Sequence, residues 1–464
     1  MVRPGCGRPG RKGSLVTQEQ TTSVVETTEA VPPARPPRVV HVVTSSLTTR
    51  LMLGQLGALR EAGFEVYLVS NPGPELEAVA AQEQITGVPV AMEREIAPGR
   101  DARSLWRLWC VFRRLRPDLV NAGTAKAGLL AGLAAVAAGV PCRIYTVHGL
   151  RLETLRGLKR AVLACAERVS CRAAHRVLCV SESVRRRAVQ LGLTEDARTC
   201  LLGAGSFNGI NAARFSPTAE RSRGAAALRQ MLGIPAEAPV VGFVGRLTRD
   251  KGIPELVEAY QLLRERLPEV RLLVVGRYEE GDPVPEPVRR AIASDPHIHD
   301  VGYANDPAIH YHVMDVFALP TYREGFPTVA LEAAAAGKPV VSTCATGAVD
   351  AVVDGVTGLL VPIGDAVALA EALARVLEDR ALAARLGAAA RERVERDFRR
   401  ERVWSDMEAL YREVLEEKGI RAFAHQDGYG CDAARYGDEA ARDSAEAGPT
   451  SDEVGPAVIS DDER

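Results

Sequence analysis

The stretch Pro320-Thr-Tyr-Arg-Glu-Gly-Phe-Pro-Thr-Val-Ala-Leu-Glu-Ala-Ala-Ala-Ala-Gly-Lys338 sets the reading of the whole 464-residue chain. Residues 316–319 before it form a short apolar run of the kind that makes a buried parallel strand. The loop at Arg323, Glu324, Gly325, Phe326 and Pro327 then leads into a helix over 328–336 that Gly337 closes. Strand, glycine-containing turn and helix start in succession place free N–H groups and the positive helix end at the carboxyl edge of a sheet, a geometry that binds phosphate. Glu324 stands at the mouth of this turn, and Glu332 lies about two helical turns on. Carboxylates beside a phosphate need a neutral neighbour, so Glu324 is expected to face a sugar ring and Glu332 a ribose. The alternative is an exposed turn acid and a helix-surface acid.

On either side of this stretch, strand-like and helix-like segments alternate. Residues 38–44 read as a first buried strand, followed by a polar loop at 45–49 and a helix ending near Gly63. Further strands are expected at 64–70, 118–121, 143–147 and 176–180. Helices are expected from Ala127 and, as a long basic one, from about Glu153. Residues 208–217 read as a linker, and the pattern restarts with strands at 239–244, 270–275, 316–319 and 339–342. Helices are expected between them at 253–267 and 287–294 and after them at 367–377. Such alternation specifies α/β architecture with two doubly wound parallel sheets, whose carboxyl edges face a common crevice. The expected divisions are 38–215 and 216–400 for the two domains and 401–418 for a C-terminal helix. Residues 1–37 and 419–464 are expected to be disordered extensions, the latter with eleven acids against four arginines.

The composition, 46% hydrophobic and 25% charged, is that of a globular protein. Nine cysteines lack any Cys-x-x-Cys pair, and Cys110, Cys165, Cys179 and Cys344 lie in apolar segments, which suits reduced thiols better than disulfides or zinc. The first 37 residues hold no apolar signal region, and the longest apolar run, 127–142, is short for a bilayer span. A cytoplasmic location is expected. The formal net charge is −2, yet residues 38–215 carry 24 Lys/Arg against 14 Asp/Glu, so the first domain is basic by ten charges. Residues 103–116 interleave five arginines with Trp106, Trp109 and Phe112, the composition of a helix lying on an anionic membrane. The alternative is that the three aromatics are the buried face of a packed helix.

Gly245-Arg246-Leu-Thr-Arg-Asp-Lys251-Gly252 follows the 239–244 strand. Gly245 lets the backbone pass close to a ligand, and Arg246 and Lys251 can neutralise a diphosphate, Arg by bidentate bonds and Lys as a point charge. A basic surface loop is the other reading. The segment is no Walker A loop, and no Gly-x-Gly-x-x-Gly follows either first strand, so triphosphate hydrolysis and NAD chemistry lose ground. His148, in Tyr-Thr-Val-His-Gly149, ends the 143–147 strand facing the crevice, unless it is a structural histidine. No metal-ligand spacing is present, and nothing in the sequence implies a cofactor or nucleic acid.

Taken together, Gly245-Arg246, Lys251-Gly252, Glu324 with Glu332, and the segment 354–362 resemble the nucleotide-sugar domain of retaining glycosyltransferases of family 4, fold GT-B. The likeness covers 38–418 and is strongest over 239–399. It implies that Arg246 and Lys251 hold the donor diphosphate, and that Glu324 with the Gly325-Phe326-Pro327 backbone holds the transferred sugar. It implies that Glu332 holds the ribose and His148 edges the catalytic site. Residues 124–128, 146–149 and 205–210 are similar to the capsular and lipopolysaccharide branch, which acts on polyprenyl-diphosphate-linked sugars. The resemblance implies a UDP-sugar as donor, a hexosyl or N-acetylhexosaminyl group to be transferred, a lipid-linked glycan as acceptor and peripheral attachment to the inner membrane face. The loop at 45–49 lacks the paired glycines of many relatives, Asn211 replaces the usual aspartate, and Asp350 the usual glutamate. A phosphorylase, a sugar-nucleotide epimerase and a non-catalytic nucleotide-sugar binder remain open on the same fold.

Overall fold

The computed structural model describes residues 35–93 and 97–420, so the two terminal extensions lie almost wholly outside the described residues. The first sheet has seven strands: β1 (Arg38–Val42), β2 (Glu65–Ser70), β3 (Thr86–Pro89), β4 (Leu119–Gly123), β5 (Cys142–Val147), β6 (Arg176–Cys179) and β7 (Thr199–Cys200). Their order is β3-β2-β1-β4-β5-β6-β7. The second has β8 (Val240–Val244), β9 (Arg271–Val275), β10 (Ile298–Asp300), β11 (Val316–Leu319), β12 (Val340–Thr343) and β13 (Gly358–Val361), in the order β10-β9-β8-β11-β12-β13. Every pairing is parallel. In each sheet the order reverses beside the first strand, which opens a crevice at the carboxyl ends.

The interior strands are apolar on both faces because helices cover both. Val40 and Val42 pack with Leu108, Phe112 and Leu130 on one side of the first sheet, while Val39 and Leu68 pack with Leu56, Leu76 and Val403 on the other. Each such fully buried aliphatic contributes ~1.5–3 kcal/mol over its exposed state. The second sheet repeats the arrangement, with Val241 and Phe243 against Leu256 and Leu369, and Phe317 against Leu331 and Tyr311.

Two local readings need correction. The expected continuous helix up to Gly63 is a single turn at Ser46–Thr49, a 3-10 turn at Arg50–Met52, and a separate helix at Gln55–Glu61. The break is at Gly54, whose φ of +84° and contact with the Trp404 ring both exclude a side chain. The Glu83 carboxylate accepts the N–H groups of Gly54 and Gly57 at 2.8 and 2.7 Å, so this helix start is capped from elsewhere in the sequence. The long basic helix begins at Gly157, after a 3-10 turn at Arg151–Glu153.

The linker at 208–217 is firmly tied. Ile210 pairs with Arg399 where the chain crosses back, the Asn208 amide oxygen accepts from the Trp404 indole at 2.6 Å, and Ala212–Phe215 form a helical turn. The helix Arg400–Glu416 then lies on the first sheet. Tyr411 Oη accepts from the Asn121 amide at 2.7 Å and lies 3.1 Å from His41 Nε2, both buried. In the expected membrane helix, Pro98–Leu115, Phe112 is buried with Ser104 and Leu108, whereas Trp106 and Trp109 are exposed. The packed-face alternative therefore holds for Phe112 alone.

Candidate active site

β8 and β11 are neighbours, so the loops leaving them face each other at the switch point. Lys251 on the first loop forms an ion pair with Glu324 on the second, the two side chains being 16% and 10% exposed. One residue back on each loop, Arg323 donates through Nε and Nη2 to Asp250 Oδ2 at 3.0 and 2.7 Å. Two doublets of opposite sign, Asp250-Lys251 and Arg323-Glu324, thus pair crosswise. Backbone bonds fix the frame around them: Tyr322 N–H donates to Asp250 O at 2.9 Å and Glu324 N–H to Thr346 O at 2.8 Å.

The first sheet meets this frame through β5. A Cβ placed on Gly325 would lie 2.0 Å from His148 O, and Gly149, at φ +127°, lies against the Gly325 backbone in turn. The two sheets' loops are therefore in backbone contact, which only glycine permits at 325. The His148 ring packs edge-on against Phe207 with centroids 4.5 Å apart, and its buried Nε2 has no hydrogen-bond partner. Burial pushes the imidazole down to about 4, so it is neutral at pH 7.

Glu332 sits in the helix Thr328–Ala335, which starts after Pro327 with no side-chain cap. Its Oε2 accepts from Tyr311 Oη at 2.6 Å, and burial raises the carboxyl to about 7. Its Oε1 accepts no bond from any described residue. Arg246 is more exposed and ion-pairs with Glu279. Gly245 ends β8 with φ +152°, in contact with Gly276. Phe326 packs against Phe398 at 5.1 Å. The structure thus brings Lys251, Glu324, Gly325 and His148 together, with Glu332 in the helix that follows and Arg246, just after β8, paired with Glu279.

Residues not singled out from sequence complete the contact between the halves. Thr154 Oγ1 accepts from Arg323 at 3.2 Å, and Glu153 accepts from Thr346 Oγ1 at 3.0 Å and from Arg187 at 2.9 Å. Asp350, noted as a departure, accepts from Ser183 N–H at 3.2 Å and from its hydroxyl. The signal available for Asp250 and Arg323 was the pair of mirrored charge doublets. Thr44 and Thr124 hydroxyls meet at 2.7 Å between β1 and β4, at the first sheet's switch point.

Two parallel doubly wound sheets facing a crevice, with a lysine–glutamate pair at the second switch point, define an α/β class whose ligands bind between the carboxyl edges of the sheets, and comparison names the family. The family model for Glycosyltransferase Family 4 matches residues 49–200, and that for Glycosyl transferases group 1 matches 225–393. The capsular polysaccharide biosynthesis glycosyltransferase CapM of Staphylococcus aureus is 35% identical over 82% of this chain and 98% of its own. The chain belongs to glycosyltransferase family 4. The UDP-Gal:alpha-D-GlcNAc-diphosphoundecaprenol alpha-1,3-galactosyltransferase of Escherichia coli is 24% identical over 74% of this chain and 89% of its own. The crystal structure of Anabaena HepE in complex with UDP and glucose superposes with a TM-score of 0.67 at 20% identity, covering 81% of this chain and 99% of that one. The fold is GT-B.

Proposed function

We propose that the enzyme is a retaining glycosyltransferase that moves a hexosyl or N-acetylhexosaminyl group from a UDP-sugar to a lipid-linked saccharide during capsule or lipopolysaccharide assembly. Residues 216–400 bind the donor and 38–215 the acceptor. The observation that carries the reading is the partly buried Lys251–Glu324 pair held against the Gly149–Gly325 contact. An ion pair there offers a cation to a diphosphate and frees a carboxylate for sugar hydroxyls once the phosphate takes the lysine. Arg246 adds a second cation, and Glu332 Oε1 takes a ribose hydroxyl. The unpartnered His148 Nε2 takes a hydroxyl of the transferred sugar. The Gly325-Phe326-Pro327 backbone supplies N–H groups at the helix start.

In the reaction, the bond from the anomeric carbon to the diphosphate oxygen breaks and the acceptor oxygen bonds to the same face of that carbon. The acceptor proton goes to the departing phosphate oxygen, leaving nucleoside diphosphate and the extended glycoside. The protein's part is positioning and stabilisation of the leaving charge. The relatives support donor and acceptor class, since one is named for UDP-galactose and a diphosphoundecaprenol-linked sugar and another binds UDP. Peripheral attachment to the inner membrane face follows from a lipid-borne acceptor and the basic first domain. No helix of the described residues is long and apolar enough to cross a membrane.

The test is incubation of the purified enzyme with radiolabelled UDP-, GDP- and ADP-sugars and membrane extract. Label entering the lipid phase from UDP-sugars, with the donor's anomeric configuration kept in the product, is expected. Transfer only from another nucleotide, or inversion, overturns the corresponding part. Binding of UDP-sugar without turnover on any acceptor overturns the enzyme reading.

A further inference from the structure

The helices Pro98–Leu115, Ala125–Ala138 and Gly157–Ala173 lie side by side over one face of the first sheet. Their outer surface carries Trp106, Trp109, Leu133, Val136, Leu158 and Val162, six of the fifteen large apolar side chains left exposed among the described residues. Leu158 is 80% exposed and Trp106 61%. Residues 157–162 are exposed without exception, so the first turn and a half of the third helix has no packed face at all. A helix that opens with Gly-Leu-Lys-Arg-Ala-Val yet buries none of it needs something outside the protein to cover it.

The charges on the same surface distinguish what that is. Arg103, Arg107, Arg113 and Arg114 on the first helix, and Arg156, Lys159 and Arg160 at the start of the third, make no ion pair or side-chain hydrogen bond within the described residues. Arginines elsewhere are commonly paired, as Arg176, Arg185, Arg264, Arg323 and Arg412 are. Exposed tryptophan and leucine ringed by uncommitted cations complement the acyl and phosphate layers of an anionic bilayer.

We propose that this three-helix surface is the seat of the enzyme on an anionic lipid bilayer, with the start of the Gly157–Ala173 helix entering the headgroup layer. The inference rests on the membrane-borne acceptor proposed above and names the surface that meets it. It also sets an orientation. The turn just before that helix holds Glu153 and Thr154, which touch Thr346 and Arg323 across the crevice, so a bilayer under the helix start lies beside the crevice mouth.

Flotation with phosphatidylglycerol-rich and pure phosphatidylcholine vesicles tests it, read together with tryptophan quenching by brominated acyl chains. Of the three tryptophans, Trp404 is buried and Trp106 and Trp109 report the seat. The wild type is expected to float on the anionic vesicles at low salt with quenched emission. The double variants Leu158→Glu/Val162→Glu and Arg103→Glu/Arg107→Glu are each expected to lower the bound fraction on the order of tenfold. Their UDP affinity, measured on the same samples, should be unchanged. Flotation of wild type and both variants alike, or binding without quenching, overturns this surface while leaving membrane attachment standing. No flotation of the wild type overturns attachment as well, and retained UDP affinity then shows that the donor site is a separate matter.

Discussion

Lys251 and Glu324 pair across the second sheet's switch point, and their chain neighbours Asp250 and Arg323 pair beside them. Neither ion is left alone in a partly buried place. The arrangement keeps the lysine next to the position proposed for the diphosphate while the donor is absent.

Replacing Lys251 by Ala strands the Glu324 carboxylate and removes a charge-assisted bond to phosphate worth roughly 1.5–3 kcal/mol. Donor affinity or turnover is expected to fall at least about tenfold, and the unpaired carboxylate should lower the melting temperature as well. Arg246→Ala should have the same direction. Glu324→Gln should depress turnover more than binding, because sugar placement controls the reacting geometry. Steady-state kinetics with UDP-sugar decide, and near-wild-type values in the two cation variants would remove the diphosphate assignment.

The Glu332 carboxyl is raised to about 7, so its ionised fraction grows as pH rises through neutrality. If the anion holds the ribose, UDP affinity should strengthen by up to about tenfold between pH 6 and pH 8. The Glu332→Gln variant should bind UDP more weakly and with a flatter pH profile. Calorimetric titrations at several pH values check this. A wild-type profile as flat as the variant's contradicts the ribose role.

At Gly325 a methyl group would collide with His148 O. Gly325→Ala is expected to hold the two halves apart and to lower turnover on the order of a hundredfold, since a shift near 1 Å is that costly. UDP binding to the second half should survive. Equal activity of variant and wild type would show that the contact is not needed in the reacting state.

Tyr411→Phe leaves the buried Asn121 amide without its acceptor. The expected loss is ~1–3 kcal/mol of stability, read as a lower urea midpoint at unchanged slope. Catalysis should be unaffected below that midpoint. An unchanged midpoint would mean that a water replaces the hydroxyl.

All nine strands read from the sequence are present, and the four not read, β3, β7, β10 and β13, are the outer strands of the two sheets. An interior strand buried on both faces announces itself as a run such as 240–244, Val-Val-Gly-Phe-Val. An outer one such as Thr199–Cys200 or Ile298–Asp300 is too short and polar to stand out. The proposed site residues were legible because glycines, cations and carboxylates fall in order on loops that the alternation places at one edge. The Ser183–Asp350 and Glu153–Thr346 bonds join residues more than 150 positions apart, and no local pattern encodes them. Trp106 and Trp109 show the opposite limit, since a spacing of three suited burial but the helix turns Leu108 and Phe112 inward instead.

The helix Arg400–Glu416 stands late in the sequence but covers the first sheet, where Val403, Met407 and Tyr411 close over Leu56, Leu59 and Leu68. On the ribosome the seven strands of that sheet emerge long before their cover. From Cys200 to Val403 is about 200 residues, and at roughly 5–20 residues per second the wait is roughly 10–40 s. For that interval the part of the face that Val403, Met407 and Tyr411 will cover is open apolar surface in the cell, and whatever shields it then belongs to the biosynthesis of this enzyme as much as the helix that finally takes its place.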